Sequence, residues 1–280
     1  MKQIVEIDGV AQAYEVSGQG PVAIVHSGGP GIDSAYLRMP LLEQHLTMVY
    51  VDPIGTGQSG LLPGGGYSVA TYAEFSRKLI EHLGATKPYF IGHSHGGFVG
   101  LELAMANPGL LGGLIAYSTA TVYGPELFVE AGRQMAAFVR RWPDEPDAVR
   151  AGQAWTENQA TGGESSEGEA AHTRFLQNIL PAYFANYWAT VAARGPLTLQ
   201  VRDDPARKPD SWDGRDRLGR IDVPTLVVSG RYDFICPRQW SDQLVAGIPD
   251  TTYLRLDESG HFGYLEQQDL FVSTVAEFVK

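Results

Sequence analysis

The chain of 280 residues has a single cysteine, Cys236, so no internal disulfide can form, and so few thiols fit a reducing compartment. It is short of positive charge. The 21 Lys and Arg against 32 Asp and Glu leave a formal net charge of -11, which argues against holding nucleic acid or an anionic membrane by bulk electrostatics and acts as ordinary solubilising surface charge. No run approaches the ~18 consecutive apolar residues of a membrane span. The opening Met1-Lys2-Gln3-Ile4-Val5-Glu6-Ile7 alternates like a strand, where a signal peptide would be continuously apolar. There is no internal repeat, and Gly28-Gly29-Pro30-Gly31 lacks the lysine and hydroxyl residue of a phosphate-cradling loop. A cytoplasmic protein acting on a small molecule is expected, with no nucleic-acid or membrane partner; the oligomeric state is not legible.

What is present begins with Tyr89-Phe90-Ile91-Gly92-His93-Ser94-His95-Gly96-Gly97, where a short apolar run meets a Gly-rich helix start with a serine at the joint. A strand-to-helix turn of this kind forces its serine into a strained conformation and lifts the hydroxyl clear of the sheet. Gly92 and Gly96 sit where side chains would collide as strand and helix cross. Serine is a poor nucleophile without a base, and the base needs an orienting acid. Val223 to Ser229 reads as a strand that leads into Asp233, and Thr251 to Leu256 as another that leads into His261. Ser94, Asp233 and His261 therefore make a candidate catalytic triad in the order serine, acid, histidine, unlike the chymotrypsin-like and subtilisin-like orders. Candidate oxyanion donors are the amide of His95, the residue after the serine, and the amide of Gly29, with Gly28 beside it as a close backbone approach to substrate.

Ser27-Gly28-Gly29-Pro30-Gly31 with Tyr36-Leu37 after it, then Val51-Asp52-Pro53-Ile54-Gly55-Thr56-Gly57-Gln58-Ser59, then the serine turn, resembles the proline iminopeptidase-like branch of the α/β-hydrolases over residues 20 to 118 and 221 to 280. The resemblance implies the α/β-hydrolase fold, the triad and no cofactor. The chain departs from that branch in having Ser27 for a histidine, Asp52-Pro53-Ile54-Gly55 for Asp-Gln-Arg-Gly, and His93 and His95 around the serine. These departures fall on peptidase specificity rather than on the triad.

Strand candidates near 3–8, 11–17, 21–26, 47–52, 88–93 and 112–118, with helices near 69–84 and 95–107, predict an α/β fold with a mainly parallel sheet covered on both faces. The first two strands, separated by Gly9-Val10, read as an edge hairpin. From about Ala120 to Arg220 strand signals nearly vanish. Helices are expected over Pro125–Trp142, Pro146–Gln159 and Glu167–Ala192, with a polar loop at Ala160–Glu169. Residues 1–119 and 221–280 are thus expected to form the core, and 120–220 a helical lid rich in aromatics (Trp155, Tyr183, Phe184, Tyr187, Trp188). Those aromatics fasten the lid to the core or, as with Tyr187 and Trp188, line an apolar acyl pocket.

His93 and His95 flank the serine like metal ligands, yet residues two apart on a sharp turn point apart and no cysteine or carboxylate cluster completes a site, so no metal is expected. The loop Asp52 to Ser59 is read as support for the rim. The expected activity is hydrolysis of an ester or amide of a small apolar acyl group. Carbon-carbon bond cleavage or a non-hydrolytic reaction on the same triad is the alternative, and a ligand-binding module without turnover is the non-enzymatic one. A peptidase would need a carboxylate for the substrate's amine, for which Glu126, Glu130 and Glu157 are the candidates; they are expected instead on solvated helix faces.

Overall fold

The computed structural model describes residues 2–161 and 168–280, so the middle of the Ala160–Glu169 tract lies outside the described residues. The chain opens with β1 (Gln3–Ile7), β2 (Val10–Gly18), β3 (Val22–His26) and β4 (Thr47–Val51), followed by helix α1 (Val69–His82). Next come β5 (Tyr89–His93), α2 (His95–Ala106) and β6 (Gly113–Tyr117). After a short β7 (Val122–Tyr123) the helical block runs α3 (Pro125–Arg141), α4 (Pro146–Ala160), α5 (Glu169–Ile179) and α6 (Tyr187–Arg194), and returns through β8 (Trp212–Asp213). The core resumes with β9 (Thr225–Gly230), α7 (Arg238–Gly247), β10 (Thr251–Leu256), α8 (Gly263–Glu266) and α9 (Gln268–Phe278).

Eight strands form one sheet in the order β1-β2-β4-β3-β5-β6-β9-β10. β1 and β2 pair antiparallel, β2 joins β4 antiparallel, and every later pair is parallel. Alternate residues of the parallel strands feed two apolar clusters: Ile24, Phe90 and Leu114 belong to one, and Val25, Ile91 and Ile115 to the other. This is the pattern of a sheet buried on both faces. The loops at the carboxyl ends of β3, β5, β6, β9 and β10 thereby lie along one edge of the sheet, where ligands of such folds bind.

Three local expectations shift. The hairpin turns at Asp8-Gly9, both at positive φ (50° and 76°), with Ile7 opposite Val10, one residue before the predicted place; Asp-Gly suits that two-residue turn. The helix expected over Glu167–Ala192 is two helices, α5 and α6, separated by a 3-10 turn over Leu180–Tyr183. Pro181 has no N–H to continue the ladder, and Asn186 restarts it by accepting from the Ala189 amide at 3.0 Å. The final helix, expected over Tyr264 to Lys280, is likewise broken at Gln267 (φ -124°, ψ 55°), whose side-chain oxygen takes the Glu258 amide at 2.8 Å and the Ser259 hydroxyl at 3.0 Å. The β7–β8 pair, absent from the sequence reading, ties the two ends of the helical block together, and the Trp212 indole donates to Glu102 of α2 at 2.6 Å. Trp155 of α4 packs edge-on to Phe234 at 5.4 Å, fastening block to core. Among the described residues, no helix is long and apolar enough to cross a membrane.

Candidate active site

The turn between β5 and α2 is tight because two glycines permit it. A Cβ on Gly92 would lie 2.2 Å from the Gly96 carbonyl oxygen, and one on Gly96 would lie 2.3 Å from that of His26. Ser94 between them sits at φ 54° and ψ -117°, a backbone that a non-glycine residue holds only when its surroundings enforce it. The enforcement is visible: the Ser94 amide donates to the Tyr117 carbonyl at 2.9 Å, and its carbonyl accepts from Gly97 N–H at 2.8 Å and from the Thr119 hydroxyl at 2.9 Å. The Ser94 side chain makes no capping bond to α2 and is partly accessible.

Asp233, on the loop after β9, is buried and fully engaged. One carboxylate oxygen takes the amides of Ile235 (3.0 Å) and Cys236 (2.8 Å), and the other takes His261 Nδ1 at 2.8 Å. Because that oxygen accepts, Nδ1 carries the proton and the Nε2 lone pair of His261 is left for a proton acceptor's role. The structure therefore joins the acid and the histidine directly, and brings them to the serine through its neighbour: the His93 ring lies 4.5 Å from the His261 ring, centre to centre.

His93 belongs to a hydrogen-bond chain rather than to a metal site. Its Nε2–H donates to the His261 carbonyl at 3.1 Å and its Nδ1 accepts from the Tyr36 hydroxyl at 2.8 Å, which in turn accepts from the Gly28 amide at 2.7 Å. Burial holds His93 well below the usual histidine range, so it stays neutral and keeps this polarity. His95 points elsewhere, edge-on to Tyr72 (5.2 Å) and Tyr123 (5.5 Å), and burial, with the charges of His26 and Arg207, lowers it to about 3. Among the described residues no three His, Cys, Asp or Glu side chains group as metal ligands would.

The two candidate oxyanion amides are distinguished by what they lack. Gly28 N–H is spoken for by Tyr36, whereas among the described residues no hydrogen bond occupies the amides of Gly29 or His95. Gly29 takes φ 119°, open to glycine alone, and a Cβ on Gly28 would lie 3.0 Å from Ser94 Cβ, so a side chain there would crowd the hydroxyl. The Asp52 loop braces this rim: buried Asp52 accepts from the Ser34 hydroxyl at 2.8 Å and the Gln58 amide at 3.0 Å, and pairs with Lys2.

From the helical block, Tyr183 reaches the site. Its ring lies 5.2 Å from that of His261 and its carbonyl accepts the His261 amide at 2.7 Å. Tyr187 and Trp188 lie a turn further on, against Phe184 (5.6 Å) and Trp142 (5.0 Å) respectively. Tyr36, Thr119, Tyr183 and Glu266, discussed below, were not singled out as site residues by sequence reasoning. Tyr36 left a trace as part of the first motif, and Tyr183 as one of the aromatics of the helical block.

The model of the α/β hydrolase fold family matches residues 20–268. The chain belongs to the α/β-hydrolase family. It is 27% identical over 264 residues to the putative carbamate hydrolase RutD of Stutzerimonas stutzeri (strain A1501), covering 92% of each chain. It is 25% identical over 270 residues to a 2-hydroxy-6-oxononadienedioate/2-hydroxy-6-oxononatrienedioate hydrolase of Cupriavidus pinatubonensis (strain JMP 134 / LMG 1197), covering 94% of this chain and 88% of the other. Among solved structures, the proline iminopeptidase of Mycobacterium smegmatis superposes with a TM-score of 0.71 at 20% identity, covering all of this chain and 97% of that one. The α/β-hydrolase expectation is met, and the protein is an enzyme of the hydrolase class.

Proposed function

We propose that this α/β-hydrolase is a serine hydrolase working through an acyl-enzyme. Ser94 Oγ attacks the substrate carbonyl while His261 Nε2 takes its proton; Asp233 holds the resulting imidazolium, and the amides of Gly29 and His95 receive the oxyanion. The proton returns to the leaving alcohol or amine, and water, activated by the same histidine, hydrolyses the acyl-enzyme. The observation that carries this reading is the conjunction of strained Ser94 with an Asp233–His261 bond of 2.8 Å and two unoccupied amides beside it. The block over residues 120–220 serves as the lid, with Tyr183 over the histidine and Tyr187 and Trp188 in its outer wall.

The substrate is an ester, carbamate or small amide with an apolar acyl side. The relative named as a putative carbamate hydrolase is the reason for including carbamates. Peptidase specificity draws no support from the glutamates: Glu126 is exposed and paired with Arg215, Glu130 binds Arg133 and Gln134 on its own helix, and Glu157 is exposed. Carbon-carbon bond hydrolysis is the second reading, favoured by the relative named for a dienedioate. Product analysis separates the two: acid plus alcohol or amine from an ester or carbamate supports the first, and turnover confined to a vinylogous diketone shows the second. Ester turnover well above proline-amide turnover is expected; the reverse, lost on neutralising one of the three glutamates, would revive the peptidase.

A further inference from the structure

Glu266, at the end of α8, is a partly buried carboxylate whose hydrogen bonds, among the described residues, all come from main-chain amides of two distant segments. One oxygen accepts from Ala185 at 2.8 Å and Asn186 at 3.3 Å, both in the helical block; the other accepts from Gly260 at 2.7 Å, the residue directly before His261. Taking a carboxylate out of water is expensive unless its lone pairs are filled, and here three N–H groups fill them. The same piece of block is held from its carbonyl side by Arg141 of α3, which donates to Ala185 O at 2.8 Å and lies 4.1 Å over the ring of Tyr232, next to Asp233. There is no slack between the two segments: a Cβ on Gly260 would lie 2.4 Å from the Tyr183 carbonyl oxygen, and that oxygen already takes the His261 amide.

We propose that Glu266 is a positioning residue that locks the block segment 183–186 to the histidine loop, so that closure of Tyr183 and the placement of His261 are one event. The inference rests on the serine-hydrolase reading, because it gives His261 a position worth fixing. The lock requires the carboxylate: a protonated Glu266 turns one acceptor into a donor that faces N–H groups. Burial pushes Glu266 up to about 7, against the pull of its three amides and of the Arg141 charge. The other titratable group that senses it is Tyr117, at the end of β6, a buried phenol raised far out of the neutral range. Glu266 thus changes state in the range where histidine does, and both changes favour activity as the pH rises.

The test is the acid limb of kcat/KM for a small activated ester, p-nitrophenyl acetate, in the wild type and in Glu266→Gln. Two required deprotonations make log kcat/KM rise with a slope approaching about two between about pH 5 and 7 in the wild type, and of about one in the variant, whose kcat/KM above pH 8 is lower by about tenfold. A wild-type slope of one overturns the proposal without any variant, as does a variant that keeps the wild-type profile and rate. Loss of hydrolysis in Ser94→Ala, run in the same assay, shows that the serine reading holds; if Ser94→Ala retains turnover, that reading has failed instead.

Discussion

In the parallel part of the sheet Ile24, Val25, Phe90, Ile91, Leu114 and Ile115 are all wholly inaccessible, whereas α6 of the helical block buries none of its eight residues. The elbow, the Asp233 loop and the His261 loop spring from the first region and inherit its fixed geometry. The second region docks on the first through side chains: Met135, Phe138, Trp155, Leu180 and Phe184 share an apolar cluster with the sheet, and polar ties come from Trp212 on Glu102 and from the amides and carbonyls that Glu266 and Arg141 hold. A rigid scaffold that places the candidate reacting groups, with a helical block docked against it through side chains, lets the block vary in sequence without moving them.

The sharpest way to break the comparison is in the core. Ser94→Ala should lower kcat by roughly 10⁴-fold or more with an unchanged melting curve, since it removes one hydroxyl from a scaffold that does not depend on it. Steady-state kinetics with calorimetry on the purified variant checks both halves of that statement. Next in size, Gly230→Ala should destabilise the fold by about 3 kcal/mol or more, because its Cβ would lie 1.9 Å from the Gly260 carbonyl oxygen. Gly219→Ala, in the returning end of the block, meets nothing within 4 Å and should stay within about 0.5 kcal/mol of wild type by urea unfolding.

The pH dependence of stability sharpens the same contrast, since the buried neutral histidines all belong to the core. Burial lowers His26 to about 4 and His95 to about 3, and holds His93 well below its ordinary value. The unfolded chain takes up protons near pH 6.5 that the folded one refuses, so their effect is absent above that pH and destabilises increasingly below it. Glu266 acts in the opposite sense, because the folded protein binds its proton at higher pH than the unfolded chain does. Three histidines against one glutamate leave about two protons, a ceiling of about 3 kcal/mol lost per pH unit between about pH 6 and 5. Urea midpoints across that interval test the slope, and a flat profile would show that these histidines are not held neutral. The smallest effect is expected in the block: Trp188→Ala should raise KM a few-fold with kcat nearly unchanged, as removal of an outer wall contact would.

What could be read in advance follows the same division. Gly92, Gly96 and Ser94 were legible because a close crossing leaves no room for side chains around the serine, and Asp233 and His261 because each follows a strand candidate at its carboxyl end. Pro181 and Asn186 mark the α5–α6 break, yet the apolar periodicity on either side hid it. Glu266 was illegible for a different reason. Its partners are main-chain amides, 81 residues away at Ala185, and an amide leaves no signature in residue type. The same holds for the chain from Gly28 through Tyr36 and His93 to His261, which exists only once four loops meet.

The most direct test of the account is covalent labelling of the wild-type protein with a fluorophosphonate, followed by peptide mapping of the modified residue. The account predicts a single stoichiometric adduct on Ser94, formed more slowly as the pH falls, and lost in Asp233→Ala or His261→Ala protein that remains folded. No adduct at Ser94 in active protein, or equal labelling without Asp233 and His261, would contradict it.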